Sequence, residues 1–135
     1  MKSSKDWAII AAEAAAEKKA ENVVAIEVAE LLVVTDFFVI ATGKSDTQVK
    51  AIADEVEHQL LERGRIKPIG REGLSEAKWI LLDYGDLVIH VFQKPERDFY
   101  RLEKLWGDAP RLELEPEIAN VVDDPSIAEQ PDDEL

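Results

Sequence analysis

A few residue groups in this chain have types and spacing that could support chemistry. Gly43-Lys44-Ser45 follows an apolar run and precedes a helical pattern, which is where a phosphate loop would hold an anion on helix amides. That loop also needs a glycine five residues before Gly43, and the position is Phe38, inside the apolar run. A strand-to-helix turn with Ser45 as the cap is the favoured reading. Asp83 and Asp86 bracket Tyr84-Gly85 and have the makings of a carboxylate pair for a metal or for acid–base work. Aspartate is also an ordinary turn residue, and neither a basic clamp nor a second ligand cluster lies nearby in sequence, so turn and surface roles are favoured. His90 alternates with Val88 and Phe92, as a packed and hydrogen-bonded histidine would, and spacing identifies no serine or cysteine nucleophile for it. His58 falls half a turn from the apolar stripe of its helix and reads as solvated. Trp79, Tyr84, Tyr100 and Trp106 lie among Arg71, Glu72, Asp86 and Arg97, a composition suited to interface anchors. Core packing competes evenly with that role, and Tyr84 is expected to be exposed because it sits in a turn.

The elements that would position these groups follow from periodicity. Ser4 to Ala20 carries Trp7, Ile10, Ala11, Ala14 and Ala15 at helical spacing, giving an amphipathic helix with a small-residue face able to approach a sheet closely. Asn22 to Val28 and Asp36 to Thr42 are short β-branched or aromatic runs, expected as interior strands. Ser45 followed by Gln48 makes a capping-box pattern ahead of Val49, Ile52, Ala53, Val56 and Leu60, with Gly64 as the C-terminal cap. Residues 65 to 78, with Pro68, Gly70 and Gly73, read as a short extended piece and a loop. Trp79 to Asp83 and Leu87 to Phe92 form a hairpin around Tyr84-Gly85. A last helix opens at Pro95, has Phe99, Leu102, Leu105 and Trp106 as its apolar face, and stops at Gly107 and Pro110. The order α-β-β-α-β-β-β-α predicts an α/β sandwich with a mixed sheet.

Composition bounds the function. The chain has 135 residues, room for one domain, and a formal net charge of -13 from 16 basic and 29 acidic residues. Such a surface disfavours binding to free nucleic acid, whose affinity comes from neutralised phosphates. The absence of cysteine removes disulfides, thiolate metal sites and cysteine nucleophiles. Neither a membrane-spanning run nor a targeting pattern is present, so the cytoplasm is expected. Residues 1 to 111 form the body. Residues 112 to 135 hold acids and no base, with Pro116, Pro125 and Pro131, and are expected as an acidic, solvated tail. The alternative is that Leu112, Leu114, Ile118, Val121 and Val122 dock as a short segment.

Four stretches in register carry a family resemblance: Lys18 to Val28, Thr35 to Val56, Arg71 to Phe92, and Glu96 to Pro110. Together they resemble the ribosomal silencing factor family, RsfS, also called the Iojap family. The resemblance implies a nucleotidyltransferase-like α/β fold without transferase chemistry, no cofactor, and a homodimer when free. It further implies binding to the basic ribosomal protein fourteen on the inter-subunit face of the large ribosomal subunit, which blocks joining of the small subunit and represses translation. The partner-binding residues it implies are Arg71, Glu72, Gly73, Trp79, Leu82, Asp83, Tyr84, Gly85, Asp86, Arg97, Tyr100 and Trp106. After Phe92 the chain has Gln93-Lys94 where the family frequently has a histidine, which argues further against a metal site. Two other readings compete: a residual nucleotidyltransferase using Ser45 with Asp83 and Asp86, and an adaptor acting through the tail.

Overall fold

The computed structural model describes residues 2–29 and 34–122. Helix α1 spans Ser4–Glu17 and starts with a reciprocal cap: Asp6 N–H donates to Ser3 Oγ, and Ser3 N–H donates to the Asp6 carboxylate. Those bonds hold the Asp6 carboxyl below its usual range. The helix stops before the expected Ala20, because Lys19 enters the left-handed region at φ 65°. Strands β1 (Glu21–Glu27) and β2 (Phe37–Gly43) follow, then α2 (Asp46–Gly64). Ser45 caps α2 through its Oγ, which accepts from Gln48 N–H at 3.1 Å. The Gln48 side chain accepts from Lys44 N–H and donates to the Lys18 and Lys19 carbonyls, so the N-terminus of α2 also ties down the end of α1. Gly43 lets α2 start close to the strand, since a Cβ there would lie 2.9 Å from the Val49 side chain. Gly64 is not the cap but the last helical residue, facing Trp7, and Arg65 takes the left-handed cap position.

Strands β3 (Gly70–Glu72), β4 (Trp79–Asp83) and β5 (Leu87–Gln93) complete a five-stranded sheet of order β1-β2-β5-β4-β3. β2 and β5 run parallel and the other pairs antiparallel, so the mixed sheet of an α/β fold is present. β1, expected to be interior, is a terminal strand. Its apolar composition fits because its outer edge is covered: Glu27 N–H donates to the Pro110 carbonyl and Leu112 N–H to the Ala25 carbonyl. Segment 112–122 therefore returns to the body instead of leaving it. Leu112, Leu114 and Ile118 pack on the core, short helix α5 (Pro116–Ala119) lies near α1, and Asn120 bonds to Asn22 and Ala20. The docked alternative holds for these residues, because their apolar side chains find a strand edge to cover. Residues 123–135 of the acidic stretch lie outside the described residues.

The single C-terminal helix expected after β5 is two short ones, α3 (Lys94–Tyr100) and α4 (Leu102–Leu105), separated by Arg101 at φ 51°. This break turns the apolar face, leaving Leu102 and Trp106 against the sheet and Phe99 and Leu105 in solvent.

Candidate functional site

Side chains alternate across the strands, and the two faces of the sheet are covered unequally. One face meets α1 and α2, where Val39, Ala41, Ile80, Leu82, Leu87, Ile89 and Val91 join Ala11, Ala15, Ile52 and Leu60 in a closed core. The opposite face buries Ile26, Ile40 and Phe92, but Val24, Phe38, Trp79, Leu102 and Trp106 are only half-buried there. Leu81 and Val88 extend the same face and are half-buried too. Among the described residues its helical cover is α3 and α4, eleven residues in all.

Trp79 is the most constrained ring on this face. Its indole stacks on Phe92 with centroids 4.7 Å apart and lies 4.7 Å from Tyr100, tilted by 47°. Its Nε1–H donates to His90 Nδ1 at 3.1 Å. His90 sits on β5 between β2 and β4, is 5% exposed, and takes the edge-on ring of Phe38 at 4.8 Å. Burial pushes its pKa down to about 4, so the ring is neutral at physiological pH. The expectation of a packed, hydrogen-bonded histidine is met. Phe38 also contacts Trp106 edge-on at 6.0 Å, which joins the rings of β2, β4, β5 and the α4 end into one cluster.

Trp79, Tyr100 and Trp106 are thus brought together on the half-covered face. The remaining candidates are placed elsewhere. Leu82 is fully buried on the helical side, where it can only pack. Tyr84, expected to be exposed, is 8% exposed: the hairpin folds its ring back into the helical core, with Tyr84 N–H donating to the Leu87 carbonyl. Desolvation raises its phenol pKa well above the ordinary value. Asp83 Oδ1 accepts from Gly85 N–H at 2.8 Å, an Asx turn, and Gly85 supplies the positive φ of 86°. Asp86 is exposed at the tip, and its carbonyl accepts from Asp36 and Phe37 N–H.

Arg97 lies inward, 8% exposed, with Nη1 donating to the Asn22 carbonyl and Thr42 Oγ1 and the rest of the guanidinium gripping Glu103. It clasps α3 and α4 to the β1–β2 edge. Arg71 is held by a bidentate pair with Glu57 of α2, while Glu72 is exposed on the edge strand. Gly73 is required by the backbone: at φ 83°, a Cβ there would lie 1.9 Å from the Trp79 carbonyl oxygen. His58 is exposed, as expected, and lines an open hollow with Asp54, Lys67 and Arg71.

Phe38, Leu81 and Val88 belong to this face and were absent from the residues singled out. Their signal was available in the period-two alternation, which places Phe38 with Ile40 on β2, and Val88 with His90 and Phe92 on β5. What alternation lacked was the pairing of β2 with β5, which sets Phe38 beside Val88.

The face thus combines large, partly exposed rings with a buried histidine whose Nδ1 is engaged by Trp79. The family model described as "Ribosomal silencing factor during starvation" matches residues 1–134. A Bacillus subtilis protein named ribosomal silencing factor RsfS is 49% identical over 106 residues, covering 78% of this chain and 89% of that one. Among solved structures, a Chromobacterium violaceum protein superposes with a TM-score of 0.75 at 34% identity, covering 78% of this chain and 88% of that one. A Bacillus halodurans protein does so with a TM-score of 0.67 at 46% identity, covering 78% and 94%. With residues 1–134 matched by the family model and 49% identity over the 106 residues aligned with a relative, this chain belongs to the RsfS family of ribosomal silencing factors.

Proposed function

We propose that the chain silences ribosomes as a docking protein in the cytoplasm, binding the large ribosomal subunit through a basic protein on its inter-subunit face, ribosomal protein fourteen, and obstructing the small subunit. The observation that carries this reading is the aromatic face of the sheet, half-covered and anchored by Trp79 and Trp106. A net charge of -13 favours a basic protein surface over phosphate, raising encounter rate and discrimination while the rings supply close contact. Inhibition then needs no bond made or broken: a bound body of about 14 Å radius of gyration fills space that the second subunit requires. A free monomer would leave this face in water, and pairing of two copies relieves that exposure, hence a homodimer in the unbound state.

The test is a subunit-joining assay by light scattering with purified subunits. Added protein should suppress joining, and Trp79→Ala should weaken large-subunit binding by at least about 30-fold, as expected for a buried aromatic anchor. Normal joining in the presence of saturating protein would defeat the proposal.

A further inference from the structure

We propose that His90 is a positioning residue for the docking face, its Nδ1 fixing the orientation in which Trp79 presents its indole to the partner. This rests on the reading of the aromatic face as the docking surface. Phe92 and Tyr100 both lie against the Trp79 ring, but ring contacts tolerate an in-plane slide or a reversal of the indole. The bond from Nε1–H to Nδ1 adds the missing direction, because a reversed indole would carry its donor away from His90. His90 in turn has little freedom: it lies on a central strand, opposite Leu81 on β4 and Ile40 on β2, with the Phe38 ring against it.

Packing by itself does not account for an imidazole here. With Nδ1 accepting, the neutral ring carries its proton on Nε2, and that atom is buried with no hydrogen-bond partner. A phenylalanine would fill the space without burying an unpaired donor. The imidazole is explained by what Nδ1 does for Trp79. Burial, which pushes its pKa down to about 4, keeps that lone pair available at neutral pH.

The first measurement needs no variant. In ¹⁵N-labelled wild-type protein, the ring nitrogens of His90 should report the Nε2–H tautomer, and the Trp79 indole proton should exchange slowly with solvent. An Nδ1–H tautomer or a fast-exchanging indole would overturn the inference. The second compares His90→Phe with His90→Asn, whose amide oxygen can stand near the place of Nδ1. His90→Phe should free the indole proton and weaken large-subunit binding about tenfold, and His90→Asn should recover most of the loss. A folded His90→Phe that binds like the wild type would sink the positioning role. If Trp79→Ala itself binds normally, the docking-surface reading fails instead, while the tautomer and exchange measurements still decide whether His90 holds the indole.

Discussion

On the side toward α1 and α2, strands β2 and β5 contribute Val39, Ala41, Leu87, Ile89 and Val91, none more than 1% exposed, whereas their alternate residues Phe38 and Val88 on the other side remain half-buried. The difference lies in what covers them. α1 presents alanines, so its backbone approaches closely, and α2 adds Val49, Ile52, Val56 and Leu60 in a regular stripe. The far side carries large rings and gets two helices of seven and four residues, broken at Arg101. A closed aliphatic layer holds the fold together, and the incompletely covered aromatic layer is the one proposed to dock.

Substitutions can break that contrast. Leu82→Ala, on the closed side, should cost about 3 to 4 kcal/mol through lost transfer energy and a residual cavity, seen as a lower urea midpoint, while the fraction still folded binds ribosomes normally. A selective binding defect there would blur the two roles. Acid should come next. His90 is neutral when folded down to about pH 4, against an ordinary 6.5. The unfolded chain therefore binds a proton first as pH falls. Stability is complete above about pH 6.5 and is lost between there and about pH 4, by roughly 3 kcal/mol. Urea titrations at pH 7 and pH 4.5 should show this loss in the wild type and a smaller one in His90→Phe.

Phe38→Ala should reverse the Leu82 pattern, costing only about 1 kcal/mol of stability because the ring is half-buried. Binding to the large subunit should fall about tenfold, measured by pelleting. Equal stability losses at positions 38 and 82 would mean the two faces do the same work. The smallest effect belongs to Asp86→Lys at the exposed hairpin tip. Stability should change by less than about 0.5 kcal/mol, while association slows and its salt dependence weakens, as for a rim charge.

Much of the helical side was readable from local signals. Ser45 with Gln48 started α2, the stripe from Val49 to Leu60 assigned its buried face, and Tyr84-Gly85 marked the hairpin. The aromatic side was harder. Trp79, Tyr100 and Trp106 stood out as large amphipathic rings, yet nothing local separated them from Tyr84, whose ring turns into the opposite core. Arg97 looked like an interface charge, and only the fold reveals its partners, Asn22 and Thr42, 75 and 55 residues away.

The amino-acid order by itself determined the periodic elements, the caps and turns, the acidic balance, and the family pattern, because each depends on residues within a turn or two of one another or on simple totals. Tertiary structure decided which strand became an edge, that residues 110–112 would cover it, and which ring faces water. Those outcomes depend on strand pairing and on which helix has area left to bury, and alternation along a strand names two faces without saying which will be covered.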